Sequence, residues 1–114
     1  MNFEDSLNKL ISIIKSHFKD FDFIINPKKM STTYDLEMKI LYEIREFSND
    51  DQKILWCLCI NDIYQFCKDE EDPIINRRLM IFFKLCLGTS IGKILLQNEF
   101  NKNFINKEII KLWS

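Results

Sequence analysis

The only histidine is the first residue to test for catalytic chemistry, because Ser-His-Asp and Cys-His arrangements both require an imidazole. His17 ends an amphipathic stretch beside Lys19 and Asp20, and the sequence places no positioned nucleophile near it. We therefore expect a helical histidine at the solvent edge. No catalytic residue is assigned, and the chain is predicted not to be an enzyme.

The chain has four cysteines, and four thiolates are enough to bind a structural zinc ion. Zinc knuckles place their cysteines on turns, whereas Cys57 and Cys59 are two residues apart in a predicted helix and project to nearly opposite sides. The chain contains no alanine and no valine, so other residues must fill its small core positions. We interpret Cys57, Cys59, Cys67 and Cys86 as reduced packing residues, and expect no metal, no cofactor and no disulfide.

Carboxylates are concentrated in the run Asp69–Asp72. Acid–base catalysis needs a buried carboxyl group whose pKa is raised, and an exposed acidic loop does not provide one. We expect a solvated loop whose negative charges stabilise the N-terminus of the following helix through the helix dipole. In the functional alternative, the same loop presents a charged surface to a partner.

Both glycines of the chain lie in the segment Gly88-Thr-Ser-Ile-Gly92. Two glycines are too few for the glycine-rich loops that bind nucleotide phosphates, which excludes nucleotide folds of those types. Their spacing is typical of a seam where two helices approach closely, either within the molecule or between subunits. In the alternative interpretation, Gly88 stops a helix and Gly92 only avoids a clash.

Hydrophobic spacing of three and four residues predicts several helices and no convincing hairpin. The third predicted helix is apolar on most sides, which is typical of a helix at the centre of a bundle. Residues 21–33 are predicted to connect helices, with Phe23–Ile25 as a short strand or an apolar loop, and residues 98–106 are predicted to form a loop. The predicted helices cover 4–19, 34–47, 49–68, a stretch that begins at Pro73, and a short segment after Asn106.

The stretch that follows Pro73 allows two interpretations. Asp72 is suited to cap a helix whose first residue is a proline. That helix either ends near Leu87, with Gly88 as its stop and another helix after it, or continues through Gly88. We predict an all-α fold, a compact bundle of five to six helices around a central apolar helix, with residues 1–114 as a single helical domain.

Net charge narrows the class of partner, and amino-acid composition narrows the class of source. Sixteen basic and 17 acidic residues give a net charge of −1, which argues against a dedicated binder of nucleic acid or anionic membrane but leaves a local patch possible. Lys84 and Lys93 interrupt the apolar run Leu79–Leu96, so we interpret it as core rather than a membrane span.

The missing alanine and valine indicate an AT-rich gene, as in some viruses, phages and low-GC bacteria. No targeting signal is visible, which predicts a cytoplasmic protein of a bacterial or host cell.

One segment resembles a known family. Leu41–Asp50, with the sequence LYEIREFSND, is similar to a segment of the poxvirus Bcl-like immune modulators, as are the apolar helix Ile54–Cys67 and the terminal amphipathic pair. Ile63–Cys67 departs from the aromatic-Trp or Trp-Gly ending of that family's central helix. The resemblance implies a helical bundle that antagonises host apoptosis or innate signalling by binding proteins, without an active site. It supplies no binding residue.

These observations favour a non-enzymatic protein-binding module, such as an inhibitor or defence antagonist from a virus, phage or low-GC bacterium. Aromatic residues dominate interface energetics, so the candidate anchors are aromatic; in the alternative, Trp113 simply closes the core. Homodimerisation through an exposed apolar patch is also predicted. The candidate anchors are Tyr34, Tyr42, Phe104 and Trp113.

A small nucleic-acid-binding regulator is the second hypothesis. The region 77–96 resembles a helix-turn-helix, with Gly88 at the turn. A recognition helix should expose polar side chains that read bases, and this stretch is too apolar for that task. The residues available to phosphates would be Arg77, Arg78, Lys84 and Lys93.

Overall fold

The computed structural model describes residues 2–19, 34–46 and 50–114. Within these ranges the chain forms six helices and no strand, which confirms the predicted all-α class. The segment Phe23–Ile25, interpreted above as a strand or a loop, lies outside the described residues. The helices are α1 (Phe3–His17), α2 (Tyr34–Glu46), α3 (Asp50–Lys68), α4 (Pro73–Leu96), α5 (Glu99–Lys102) and α6 (Lys107–Trp113).

Helix α1 begins with a capping box. The Asn2 side chain accepts from the backbone N–H of Asp5, and the Asp5 carboxylate accepts from the backbone N–H of Asn2, so both free donors are satisfied. One side of α1 is buried against α3. Beyond the end of α1, the ring of Phe18 stacks on the indole of Trp56 with centroids 4.4 Å apart. These contacts fix α1 along the central helix.

Helix α3, the predicted central helix, shares the centre of the bundle with α4, which packs on α2, α3, α5 and α6. Helix α3 packs on α1, on the first part of α4 and on α5. Its polar residues join it to other elements: the Asn61 amide donates to the carbonyl of Phe104 at 2.8 Å and accepts from the N–H of Asn106 at 2.9 Å. The buried residues of α3 are Trp56, Cys57, Cys59, Ile60, Ile63, Tyr64 and Cys67.

Helix α4 continues through Gly88, so the interpretation with a helix stop there is wrong. Asp72 caps its N-terminus, as predicted, by accepting from the N–H groups of Ile74 and Ile75. Its middle, Phe82–Ile91, is π-helical, and this segment packs on α2 and α6. Gly88 does not have a positive φ, which removes the turn that a helix-turn-helix would need at this position.

The π-helical segment follows from the spacing of the core residues. A π-helix bonds i to i+5 and therefore has more residues per turn than the 3.6 of an α-helix. Side chains four apart then stay on nearly the same side of the helix. The buried row of α4 has this spacing throughout: Leu79, Phe83, Leu87, Ile91 and Leu95.

The C-terminal region contains two short helices where one was predicted. Asn98 caps α5, a four-residue helix that lies inside the predicted loop 98–106. Asn106 caps α6 by accepting from the N–H of Glu108, in agreement with the prediction of a terminal helix. Glu108 in turn accepts from the Tyr64 hydroxyl at 3.0 Å and from Lys68 at 3.2 Å, which ties α6 to α3.

By length and composition alone, α4 is apolar enough to cross a membrane, and it is the single helix with this property among the described residues. Its most apolar 18-residue window has a mean hydropathy of 1.8, and 44% of that window is buried within the fold. Core helices of soluble proteins have the same properties, so the interpretation of this stretch as core rather than span stays a prediction.

Candidate interaction surface

The cysteines lie where packing residues lie. Cys57, Cys59 and Cys67 are fully buried free thiols, and Cys86 is half-buried. Burial raises the pKa of Cys57 to about 11 and that of Cys67 to about 12; burial, and then the Asp62 carboxylate, raises the pKa of Cys59 to about 12. These three thiols stay protonated at neutral pH and are poor nucleophiles and poor metal ligands.

His17 makes a contact with another helix that its position in the sequence did not predict. Its Nε2 lies 2.7 Å from Oδ2 of Asp62 on α3, and only 19% of the His17 side chain is exposed. The contact joins α1 to α3 and brings no nucleophile to the imidazole. Among the described residues, no group of three or more histidine, cysteine, aspartate or glutamate side chains has a geometry that could hold a metal ion.

The exposed side of α4, here called the α4 outer face, combines large apolar and basic side chains. Ile74, Ile81 and Leu85 are 74%, 47% and 55% exposed. No acidic residue lies within α4 itself, whereas the loop just before it carries four. The α4 outer face comprises Pro73, Ile74, Arg77, Arg78, Ile81, Lys84, Leu85, Thr89 and Lys93.

Beside the second half of this face runs a groove of about 580 Å³ between α4 and the C-terminal helix α6, here called the C-terminal groove. Apolar side chains and two lysines line it, and none of its lining residues is acidic. Its lining residues are Lys84, Leu85, Gly88, Thr89, Gly92, Lys93, Leu96, Gln97, Leu112, Trp113 and Ser114.

Trp113 closes one side of this groove by lying on both glycines. A Cβ atom added to Gly88 would overlap Cδ1 and Nε1 of the indole, and one added to Gly92 would lie 2.8 Å from Cδ2. The indole also stacks on Phe83, with centroids 6.0 Å apart and planes 13° apart. The glycine spacing therefore serves a close-packed seam within the molecule, and its occupant is an aromatic ring from α6.

The four candidate anchors have different surroundings. Tyr42 is 59% exposed on α2, with Lys39 Nζ 6.0 Å from its ring centroid. Phe104 is half-buried and meets the exposed ring of Phe100 edge-on at 5.1 Å. Trp113 is half-buried against the core, and the side chain of Tyr34 lies outside the described residues although its backbone begins α2.

All four candidate phosphate contacts are exposed on α4. The Arg78 guanidinium lies over the ring of Phe3, 3.9 Å from its centroid, so this cation also contacts the start of α1. Lys84 and Lys93 line the C-terminal groove, and Arg77 lies nearer the N-terminus of the helix. The structure thus brings the basic residues together with exposed aliphatic residues on one helix.

Sequence reasoning missed the exposed aliphatic residues of α4, because it assigned the whole run Leu79–Leu96 to the core. The sequence did contain a signal for this exposure. Once the buried row is read with a spacing of four residues, Ile81, Leu85 and Thr89 fall on the opposite side of the helix.

The fold and this surface define an all-α bundle with an exposed apolar and basic helix face beside a groove. No protein-family model, curated protein or solved structure matches the chain.

Proposed function

We propose that this chain is a non-enzymatic protein-binding module, and that it binds its partner through the α4 outer face and the adjoining C-terminal groove. The observation that carries the proposal is the row of large exposed aliphatic residues on one helix, Ile74, Ile81 and Leu85. Contiguous exposed apolar surface rimmed by polar residues is typical of protein interfaces.

The groove supports this proposal through its composition. Leu85, Leu96 and Leu112 supply apolar surface, and Trp113 adds an aromatic residue of the kind that concentrates binding energy. Lys84 and Lys93 lie beside them without an acidic neighbour in the groove, so the partner is expected to present acidic and apolar side chains together.

The proposed biological role is that of an inhibitor or defence antagonist in the cytoplasm of a bacterial or host cell. The absence of alanine and valine, which indicates an AT-rich gene, supports a viral, phage or low-GC bacterial source, and the resemblance of Leu41–Asp50 to the poxvirus Bcl-like immune modulators supports antagonism by protein binding. The raised pKa values of the buried thiols support a role without nucleophilic catalysis.

Affinity capture from the native host with three forms of the protein tests this function. Leu85→Asp places a carboxylate on the proposed surface, while Leu58→Asp makes the same change at an exposed leucine of α3. We expect a protein that is captured by the wild type and by Leu58→Asp but not by Leu85→Asp. Equal capture by both variants, or capture of nothing by the wild type, would contradict the proposal.

The basic residues of α4 favour nucleic-acid binding as the second candidate function. Arg77, Arg78, Lys84 and Lys93 are all exposed on one helix that contains no acidic residue. Retention on nucleic acid that weakens with salt, and weakens further in Arg77→Ala with Arg78→Ala, would support this function. Absence of binding at low salt would exclude it.

A further inference from the structure

The C-terminal groove has a size that suits a small molecule better than a helix of another protein. Its volume of about 580 Å³ lies inside the range of about 300–1,000 Å³ that is typical of small-molecule pockets. An α-helix about 10 Å across occupies roughly 120 Å³ per residue, so the groove has room for only about five helical residues, which is less than two turns. The volume therefore favours a small ligand.

The walls of the groove are apolar on both sides. Leu85 and Leu96 line it from α4, and Leu112 and Trp113 line it from α6. The indole of Trp113 is held against the two glycines of α4 and stacks on Phe83, so this wall is in place before a ligand arrives. Along α4 the lining runs over 84–97, a length of about 20 Å at most, which suits an extended alkyl chain.

The charge of the groove favours an anion. Lys84 and Lys93 line it, none of the lining side chains is acidic, and neither lysine forms an ion pair within the described part of the chain. The acidic side chains of the two C-terminal helices, Glu99 and Glu108, are each paired with another lysine. Two ammonium groups therefore lie beside an apolar cavity without a side-chain carboxylate to balance them, which is complementary to a negative charge on the ligand.

We propose that the C-terminal groove binds a small anionic amphiphile, a molecule with an alkyl chain and one carboxylate at its end. A nucleic acid would gain nothing from the leucines, and a neutral lipid would gain nothing from the lysines. The proposal goes beyond the proposed function, because this ligand is not a protein and its binding requires no protein partner.

The carboxylate of the ligand lies beside Lys93 and not beside Lys84. Gln97 is one turn after Lys93 and also lines the groove, so an ammonium group and an amide donor are neighbours at this end. Near Lys84 the polar lining residue is Thr89, whose hydroxyl already donates to the carbonyl of Leu85 at 2.6 Å. The alkyl chain then follows the leucines and the indole.

The first test is a titration with octanoate, followed by the indole N–H signals of the two tryptophans in NMR spectra. We expect a saturable shift of the Trp113 signal and no shift of the signal of Trp56, which is fully buried in the core. Decanoate should bind about tenfold more tightly than octanoate, because two more methylene groups leave water. Octanol, octylammonium and acetate should each bind more weakly than octanoate, since each lacks the charge, reverses it or lacks the chain.

The second test blocks the groove and removes its charges one at a time. Thr89→Phe fills the groove and should abolish the shift of Trp113, whereas Ser12→Phe should bind octanoate as the wild type does. The two positions are matched, because each is exposed on a helix and each hydroxyl donates to the carbonyl four residues earlier. Lys93→Gln should weaken octanoate binding about fivefold, because it removes a charged hydrogen bond to the carboxylate. Lys84→Gln should weaken it less than about twofold.

The outcomes separate this inference from the proposed function. A Trp113 signal that does not shift, equal binding of octanoate and octylammonium, or wild-type binding by Thr89→Phe overturns the amphiphile site. A larger loss in Lys84→Gln than in Lys93→Gln contradicts the placement of the carboxylate. In each of these cases, capture of a protein that is lost in Leu85→Asp still supports the protein-binding function. Octanoate binding by a chain that captures no protein supports the amphiphile site alone.

Discussion

At the residue scale, the three buried thiols give the fold a dependence on alkaline pH. A free thiol in an unfolded chain has a pKa of about 8.5, whereas burial raises the pKa of Cys57 to about 11 and the pKa values of Cys59 and Cys67 to about 12. Between these limits the unfolded chain has lost protons that the folded chain retains. The free energy of unfolding therefore falls as pH rises through this window.

This pH dependence predicts a measurable change of slope. Stability should be complete below about pH 8 and should fall above it, each buried thiol contributing up to about 1.4 kcal/mol per pH unit. Urea unfolding at several pH values between 7 and 10 measures the slope. Cys59→Ala should lower stability at neutral pH and make the alkaline slope shallower, whereas Ser90→Ala should keep the wild-type slope. Equal slopes in wild type and Cys59→Ala would contradict the assignment.

A second residue-scale prediction concerns Asn101, whose buried side-chain amide has no hydrogen-bond partner among the described residues. Asn101→Asp should lower the free energy of unfolding by about 3 kcal/mol at neutral pH, because it buries a charge without a partner. The loss should shrink on acidification, which neutralises that charge. Asn103→Asp, at an exposed position of the same region, should be nearly neutral at all pH values. A similar loss in both variants would show that the burial of Asn101 is not its cause.

At this scale, the burial of the cysteines could be predicted from the types of residue that the chain contains and lacks. The missing alanine and valine led to the expectation that cysteines pack in the core, and three of them are fully buried. The contact between His17 and Asp62 could not be predicted in the same way, because 45 residues separate the two side chains and only the packing of α1 on α3 brings them together.

At the element scale, the seam between α4 and α6 predicts opposite effects for one substitution in two backgrounds. In the wild type, Gly88→Ala should destabilise the protein by about 1–3 kcal/mol, because the new methyl group displaces the Trp113 indole. In Trp113→Ala the obstacle is absent, and the same change should stabilise the helix by about 1 kcal/mol.

Urea unfolding followed by far-UV circular dichroism measures all four members of this cycle. Ser90→Ala, two residues along the same helix, serves as the matched control and should have a similar small effect in both backgrounds. The same sign for Gly88→Ala in both backgrounds would show that the indole does not determine the need for glycine.

The ends of the elements were easier to predict than the internal geometry of α4. Asp72 before Pro73, and Asn106 before α6, are capping residues whose local chemistry is sufficient to begin a helix. The π-helical segment depends instead on which side of α4 is buried against α2 and α6, a property of packing. Since Gly88 is needed for the approach of Trp113 and not for a turn, its type alone did not separate the two interpretations.

At the scale of the whole molecule, the net charge does not reveal how the charged residues that matter for binding are arranged. The chain has a net charge of −1, yet α4 contains four cations and no acid, and the four acids of Asp69–Asp72 come directly before it. Total charge correctly left a local patch open, but the patch could be recognised only once the exposed side of α4 was known. The four-residue spacing of the apolar row places Ile81 and Leu85 on the opposite side of α4, but which of the two sides is buried depends on how the other helices pack on it.

Homodimerisation through an exposed apolar patch, as predicted from the sequence, would make the thermal stability of the wild type depend on its own concentration. If the folded chain pairs through α4 and the unfolded chain does not, mass action stabilises each protomer by about 0.7 kcal/mol for every tenfold rise in concentration above the dissociation constant. For a chain of this size that corresponds to an increase in Tm of about 3 °C per decade. Differential scanning calorimetry across two decades measures it. Leu85→Asp should show a constant Tm and Leu58→Asp the wild-type slope; a constant Tm in the wild type at concentrations where sedimentation shows a dimer would mean that the pairing does not require the folded α4 face.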